Sequence, residues 1–209
     1  MRPVRLIAYS DYLCPWCFNA SVRLHRLEDE FGGALEVEWR SYLLRRPQPD
    51  SQRTLEKFRI YTQSWLKPAA EPDSGTFRVW STDNGPPSHS VPPHLVAKAA
   101  ATYGRDVFRR MHEKLLLAYF AENRDITAAA TLQALWVEVG LPAAEFTRVS
   151  DPIHLQTVIE EHNEAIRVGL NGVPAVRAED NDTPAMGAFP MDTYRRWVRK
   201  LLAAADTAS

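Results

Sequence analysis

Both cysteines of the chain, Cys14 and Cys17, lie in the stretch DYLCPWCFN with only Pro15 and Trp16 between them. Thiols at this spacing suit disulfide exchange, in which one thiolate attacks a disulfide and a second thiol three residues later resolves the mixed disulfide. Their position assigns the parts. Pro15 fits the first turn of a helix, where its missing N–H is no loss, so Cys14 falls at the helix N-terminus. Free N–H groups and the positive end of the helix dipole there favour a thiolate. Cys17 shares a stripe with Leu24, Leu27 and Phe31, which predicts a more buried thiol with the higher pKa. Cys14 is the expected nucleophile and Cys17 the expected resolving thiol.

Two other readings of the pair are weaker. A zinc site would need further ligands, and the six histidines show no matching spacing. A structural disulfide closing so short a loop would contribute only about 2 kcal/mol.

The elements that position the thiols can be read around them. Val4 to Ser10 (VRLIAYS) is nearly continuous in apolar character, as in a strand covered on both faces. The helix that starts at Pro15 should end at Gly32 and Gly33. LEVEWRSYL then alternates, with Leu35, Val37, Trp39 and Ser41 on one face, which predicts a half-buried strand. Strand, helix and strand make a βαβ unit with parallel pairing.

Between Arg46 and Pro93 lie eight of the fifteen prolines, so loop is expected there, interrupted by one helix around Leu55, Phe58, Tyr61 and Trp65. From Pro93 to Leu170 the pattern is helical, with an N-cap signal at Thr127 and breaks at Gly104, Gly140 and Asp151-Pro152. The chain closes with a strand over Gly172 to Val176, a turn over Glu179 to Asp182, a short run at Pro184 to Ala188, and a helix through Met191, Tyr194, Val198, Leu201 and Leu202.

With 25 basic and 26 acidic residues, the charge balance offers nothing for nucleic acid to bind. No stretch approaches the roughly 20 apolar residues of a membrane helix, and the amino terminus carries no signal-peptide pattern, so a cytoplasmic protein that binds neither nucleic acid nor membrane is expected.

The combination of Asp11-x-x-Cys14-Pro15-Trp16-Cys17, a long helical insertion, and Ala165-x-x-x-Gly169-Leu170-x-Gly172-Val173-Pro174 resembles the DsbA-like family of thiol-disulfide oxidoreductases, in particular its FrnE-type branch. His94 and Gly187-x-x-Pro190 are in keeping with it. The resemblance implies an α/β, thioredoxin-like fold with a large helical insertion: residues 1–45 and 152–209 form the thioredoxin-like domain and residues 46–151 the insert. It implies that Pro174 is cis and faces the dithiol, and that Val173 offers its backbone to an extended substrate segment. The substrate would be a thiol- or disulfide-containing protein or small molecule. The dithiol itself is the redox group and no other cofactor is expected, glutathione being the candidate co-substrate, and the protein would act as a monomer or homodimer.

Within that family Trp16 stands where the strongly oxidising periplasmic members have histidine, which predicts a more reducing couple, the equal alternative being that Trp16 covers the thiols or forms part of a substrate surface. Asp11 is a candidate proton acceptor or relay, against the alternative of local hydrogen bonding at a strand-to-helix turn. His94 faces either the site or the core, and Tyr12 and Phe18 either line a substrate groove or pack under the insert. Kappa-class glutathione transferases and 2-hydroxychromene-2-carboxylate isomerases also carry the insert but typically have serine in place of Cys14, so a glutathione-dependent isomerase or transferase is the alternative activity. A third reading is a binding module without turnover.

Overall fold

A computed structural model describes residues 3–47, 54–181 and 183–207. Four strands, β1 (Val4–Ser10), β2 (Leu35–Ser41), β3 (Ala175–Ala178) and β4 (Ala185–Met186), accompany eight helices among these residues. The helices are α1 (Pro15–Phe31), α2 (Leu55–Thr62), α3 (Leu66–Ala69), α4 (Val91–Ala101), α5 (Arg105–Phe120), α6 (Ala129–Glu138), α7 (Pro152–Arg167) and α8 (Met191–Thr207). The sheet order is β2-β1-β3-β4. β1 runs parallel to β2, with Val4 opposite Leu35 and Ser10 opposite Ser41. β3 is antiparallel to both β1 and β4. This is the mixed sheet of a thioredoxin-like fold carrying a helical insertion.

β1 is nearly continuous in apolar character because both its faces are covered from Leu6 onward. Leu6 and Ala8 join Leu24 and Leu27 of α1 and Tyr194 and Val198 of α8, while Ile7 and Tyr9 meet Tyr42, Ala165 and Leu170 on the other side. The alternation read in β2 is also its burial pattern, with Leu35, Val37, Trp39 and Ser41 buried and the residues between them partly exposed. α1 stops where Gly32 takes φ +54°, a conformation that glycine adopts without steric cost.

The helices from α2 to α6 gather around one aromatic cluster that includes Trp65, Trp80, Tyr119, Phe120 and Trp136. Tyr12, Leu13 and Phe18 belong to the same cluster, so the segment bearing the cysteines is packed directly into the insert. α7 then packs on both α4 and β2.

Three local expectations are corrected. Thr127 is not the N-cap of α6: its hydroxyl is held by Asp125, and the helix begins two residues later behind Ala128. α4 begins at Val91, ahead of Pro93, because prolines are tolerated in a first helical turn. The strand expected over Gly172 to Val176 begins only at Ala175, beyond the Val173-Pro174 peptide. Asp182, at the end of the expected turn, lies outside the described residues.

Candidate active site

Cys14 is the N-cap of α1, with φ −98° and ψ 112°, and its Sγ accepts the Cys17 N–H at 3.2 Å. Pro15 is the first helical residue, and the turn into the helix is closed by the Cys14 N–H on the Asp11 carbonyl at 3.1 Å. The helix terminus therefore presents a backbone donor to a sulfur, which is the arrangement that serves a thiolate nucleophile. On its other side the Cys14 thiol donates to the Val173 carbonyl at 3.4 Å. The Val173-Pro174 peptide is cis, Pro174 is buried, and the Pro174 carbonyl accepts the Gly187 N–H at 2.8 Å. Two segments 159 residues apart in sequence thus meet at one sulfur.

Both cysteines are free thiols, Cys14 exposing 4% of its surface and Cys17 none. The contrast expected between a buried and an accessible sulfur is smaller than the helix stripe suggests. Burial, and after it the neighbouring Cys14 sulfur, pushes the Cys17 thiol well above its ordinary range. A backbone hydrogen bond at Asp11 and one from the Ser10 side chain pull in the opposite direction. Cys17 therefore rests as a thiol. Trp16, between the cysteines, is more than a third exposed and is the large apolar surface beside them.

Asp11 has no exposed surface, and both its carboxylate oxygens are used locally. Oδ1 accepts the Leu13 N–H at 2.7 Å and Oδ2 the Leu44 N–H at 2.8 Å, which ties the β1–α1 turn to the loop after β2. His94, in the first turn of α4, is also buried, and its Nε2 lies 3.9 Å from Asp11 Oδ2. Its ring meets Tyr12 edge-on at 4.9 Å. The structure thus brings Asp11 and His94 together behind the thiols, while Tyr12 and Phe18 are core residues of the insert. Among the described residues no three His, Cys, Asp or Glu side chains converge as a metal-binding group.

Three features behind the site carry no signature in the sequence. Arg23 is 1% exposed, and its guanidinium donates to the carbonyls of Ala188 and Phe189, each at 2.9 Å, and of Pro72 at 2.7 Å. It thereby holds the loop around Gly187, which pairs with Pro174. His112 spans Tyr12 OH at 2.9 Å and Ser21 Oγ at 3.0 Å, and burial, with His25, His94 and Lys98 adding to it, keeps its imidazole well below the ordinary range. Ser10, buried at the end of β1, acts to lower the Cys17 thiol against the larger effect of burial. A polar residue inside a helix stripe or at a strand end reads as solvent-facing, and only the assembled layers show otherwise.

The model of the DSBA-like thioredoxin domain family matches residues 5–199. The chain belongs to that family. A relative from Bacillus subtilis (strain 168), the uncharacterized protein YwbO, is 27% identical over 205 residues, covering 92% of this chain and 94% of its own. A Nitrosomonas europaea structure solved as a candidate protein disulfide isomerase superposes with a TM-score of 0.81 at 17% identity, covering 97% of this chain and 98% of that one. The cytosolic disulfide reductase DsbM from Pseudomonas aeruginosa gives a TM-score of 0.73 at 21% identity over 98% of both chains. A 2-hydroxychromene-2-carboxylate isomerase gives 0.66 at 16% identity, over 98% of this chain and 99% of that one. At these identities the structural likenesses describe a shared fold.

Proposed function

We propose that this DSBA-like protein is a thiol-disulfide oxidoreductase of FrnE type, acting in the cytosol through Cys14 and Cys17 on thiol- or disulfide-containing substrates. The observation that carries the reading is the Cys14 sulfur itself, held between the Cys17 N–H at the N-terminus of α1 and the carbonyl that precedes Pro174. Cys14 attacks a substrate disulfide, one substrate sulfur leaves as a thiolate, and the other remains bound to Cys14. Cys17 loses its proton and attacks Cys14 Sγ. The Cys14–Cys17 disulfide forms, the bond to the substrate breaks, and the substrate sulfur departs reduced. The reverse sequence oxidises a substrate dithiol. Val173 and Pro174 position the substrate segment beside Cys14, and exposed Trp16 covers it.

The cytosolic assignment is supported by the likeness to DsbM, which is described as cytosolic. In addition, no helix among the described residues is long and apolar enough to cross a membrane.

The likeness to 2-hydroxychromene-2-carboxylate isomerase supports a second reading, a glutathione-dependent isomerase of a small aromatic molecule. The two are separated by dithiothreitol-driven reduction of insulin with wild type, Cys14→Ser and Cys17→Ser. Loss of turnover in both variants, with Cys17→Ser accumulating a mixed disulfide through Cys14, is the expected outcome. Equal insulin reduction by all three proteins rejects the dithiol mechanism. Glutathione-dependent isomerisation that survives Cys17→Ser favours the second reading.

A further inference from the structure

Arg46, in the loop that follows β2, is exposed, and among the described residues its guanidinium binds no carboxylate. It faces Nε2 of the buried His162 on α7 at 2.6 Å, while His162 Nδ1 accepts the Leu43 N–H at 3.2 Å. A neutral imidazole has one N–H and one acceptor nitrogen, and a guanidinium has donors only. With Nδ1 used as the acceptor, the ring proton sits on Nε2, so His162 and Arg46 turn donors toward each other. Burial, and after it Arg46, holds the His162 imidazole below its ordinary range, with Asp11 pulling the other way and His94 adding to the lowering. A neutral ring with a single proton is in keeping with that.

The carboxylates nearby are engaged elsewhere. Glu161 binds the Ser41 N–H at 2.6 Å and Lys98 at 2.5 Å, Glu164 binds Arg40, Arg177 and Tyr9, and Asp11 is buried with both oxygens in use. Arg45 donates to the Pro87 carbonyl at 2.7 Å and exchanges hydrogen bonds with Ser90, through its N–H to Ser90 Oγ at 3.1 Å and its carbonyl to the Ser90 N–H at 2.8 Å, which fixes the segment before Arg46. This segment adjoins the thiols. The Leu44 N–H binds Asp11 Oδ2 at 2.8 Å, and the Asp11 carbonyl accepts the Cys14 N–H at 3.1 Å. From Leu44 to Arg46 the chain spans at most about 7 Å.

From this placement we infer that Arg46 and His162 form a carboxylate-binding subsite beside Cys14, selecting small disulfides that carry a carboxylate a few bonds from their sulfur. The inference rests on the reading of Cys14 as the nucleophile. A carboxylate accepts from the guanidinium and from the Nε2–H together, which replaces two opposed donors by two hydrogen bonds, one of them charge-assisted. The bound carboxylate anchors the substrate and takes no part in bond making, which stays with Cys14 and Cys17. Acidic polypeptides offer the same chemistry. His162, however, exposes only 5% of its surface, so a narrow terminal group reaches Nε2 more readily than the surface of a folded protein does.

The test is single-turnover oxidation of the reduced protein, followed by acid quenching and mass spectrometry, over a range of concentrations of two probes. Glutathione disulfide carries carboxylates and hydroxyethyl disulfide carries none. Arg46→Gln should raise the half-saturating concentration of glutathione disulfide roughly tenfold with little change in the limiting rate, the pattern of lost ground-state binding. Arg46→Lys, which keeps the charge without the planar fork, should recover part of the loss. Toward hydroxyethyl disulfide, and toward insulin in the dithiothreitol assay, Arg46→Gln should differ from wild type by less than about twofold. Added salt should weaken glutathione disulfide in wild type and leave Arg46→Gln nearly unaffected. An unchanged half-saturating concentration for glutathione disulfide, or an equal loss toward both small probes, overturns the subsite and leaves the dithiol reading standing. A loss toward insulin as large as that toward glutathione disulfide assigns the carboxylate to a polypeptide and overturns the selection of small disulfides. A wild-type protein that neither small disulfide oxidises and that does not reduce insulin overturns the dithiol reading and the subsite with it.

Discussion

Replacing Arg23 by methionine tests whether a charge buried behind the site is what holds the loop that backs Pro174. The guanidinium binds three main-chain carbonyls, those of Pro72, Ala188 and Phe189, at 2.7 to 2.9 Å. Methionine fills similar volume but leaves all three acceptors without their donor. Hydrogen bonds to a charged group are worth about 1.5 to 3 kcal/mol each, and three on one group are not additive, so a loss of about 4 kcal/mol is expected. Removal of the buried charge itself offsets part of the gross loss, which places the expectation near the low end of the sum. At a urea dependence of about 2 kcal/mol per molar, the unfolding midpoint falls by about 2 M with unchanged slope. Arg23→Lys keeps the charge but not the planar fork that spans carbonyls from two segments, and should recover less than half of the difference. Because the Ala188 carbonyl adjoins Gly187, whose N–H binds the Pro174 carbonyl, insulin reduction should also fall under conditions where the variant is fully folded. A midpoint shift below about 0.5 M for Arg23→Met would refute the reasoning.

Two further outcomes follow from the same packing. His112 is kept neutral in the fold by burial, with an imidazole held well below its ordinary range, whereas in the unfolded chain it titrates near 6.5. The unfolded state therefore binds the extra proton, and the stability present above pH 6.5 is lost as pH falls below it, by about 1.4 kcal/mol between pH 7.5 and 5.5 from this group. His112→Gln should flatten urea-measured stability over that interval by about 1 kcal/mol, and an unchanged slope would contradict the assignment. At Gly75, an added Cβ would lie 2.4 Å from the ring of Phe18, a buried residue of the insert core. Gly75→Ala should thus cost about 2 kcal/mol in thermal unfolding, and an unaltered melting temperature would show that the ring can move aside freely.

Much of this site is legible in local sequence because local physics makes it. A β-rich apolar run, proline in a first helical turn, and glycine with positive φ at the helix end need no distant partner, so β1, α1 and the N-terminal place of Cys14 follow from residues 4 to 33. The alternation of β2 is legible for the same reason, since one strand face is buried and the other is not. At Thr127 local chemistry misleads, because Asp125 competes for the hydroxyl that would have capped α6. The expected division of labour between Cys14 and Cys17 is also only partly local. Both sulfurs are buried by groups that the helix stripe does not contain.

The amino-acid sequence by itself determined the closely spaced pair of thiols, its placement where a strand meets a helix, and the family to which the chain belongs. Tertiary structure alone decided what surrounds those thiols: the Val173 carbonyl at Cys14, the carboxylate of Asp11 beside His94 of α4, and Arg23 turned inward to three carbonyls. The physical reason is that dithiol spacing and helix capping are interactions between near neighbours. Desolvation, by contrast, depends on which distant segments close over a group, and so does the pairing of a buried polar atom.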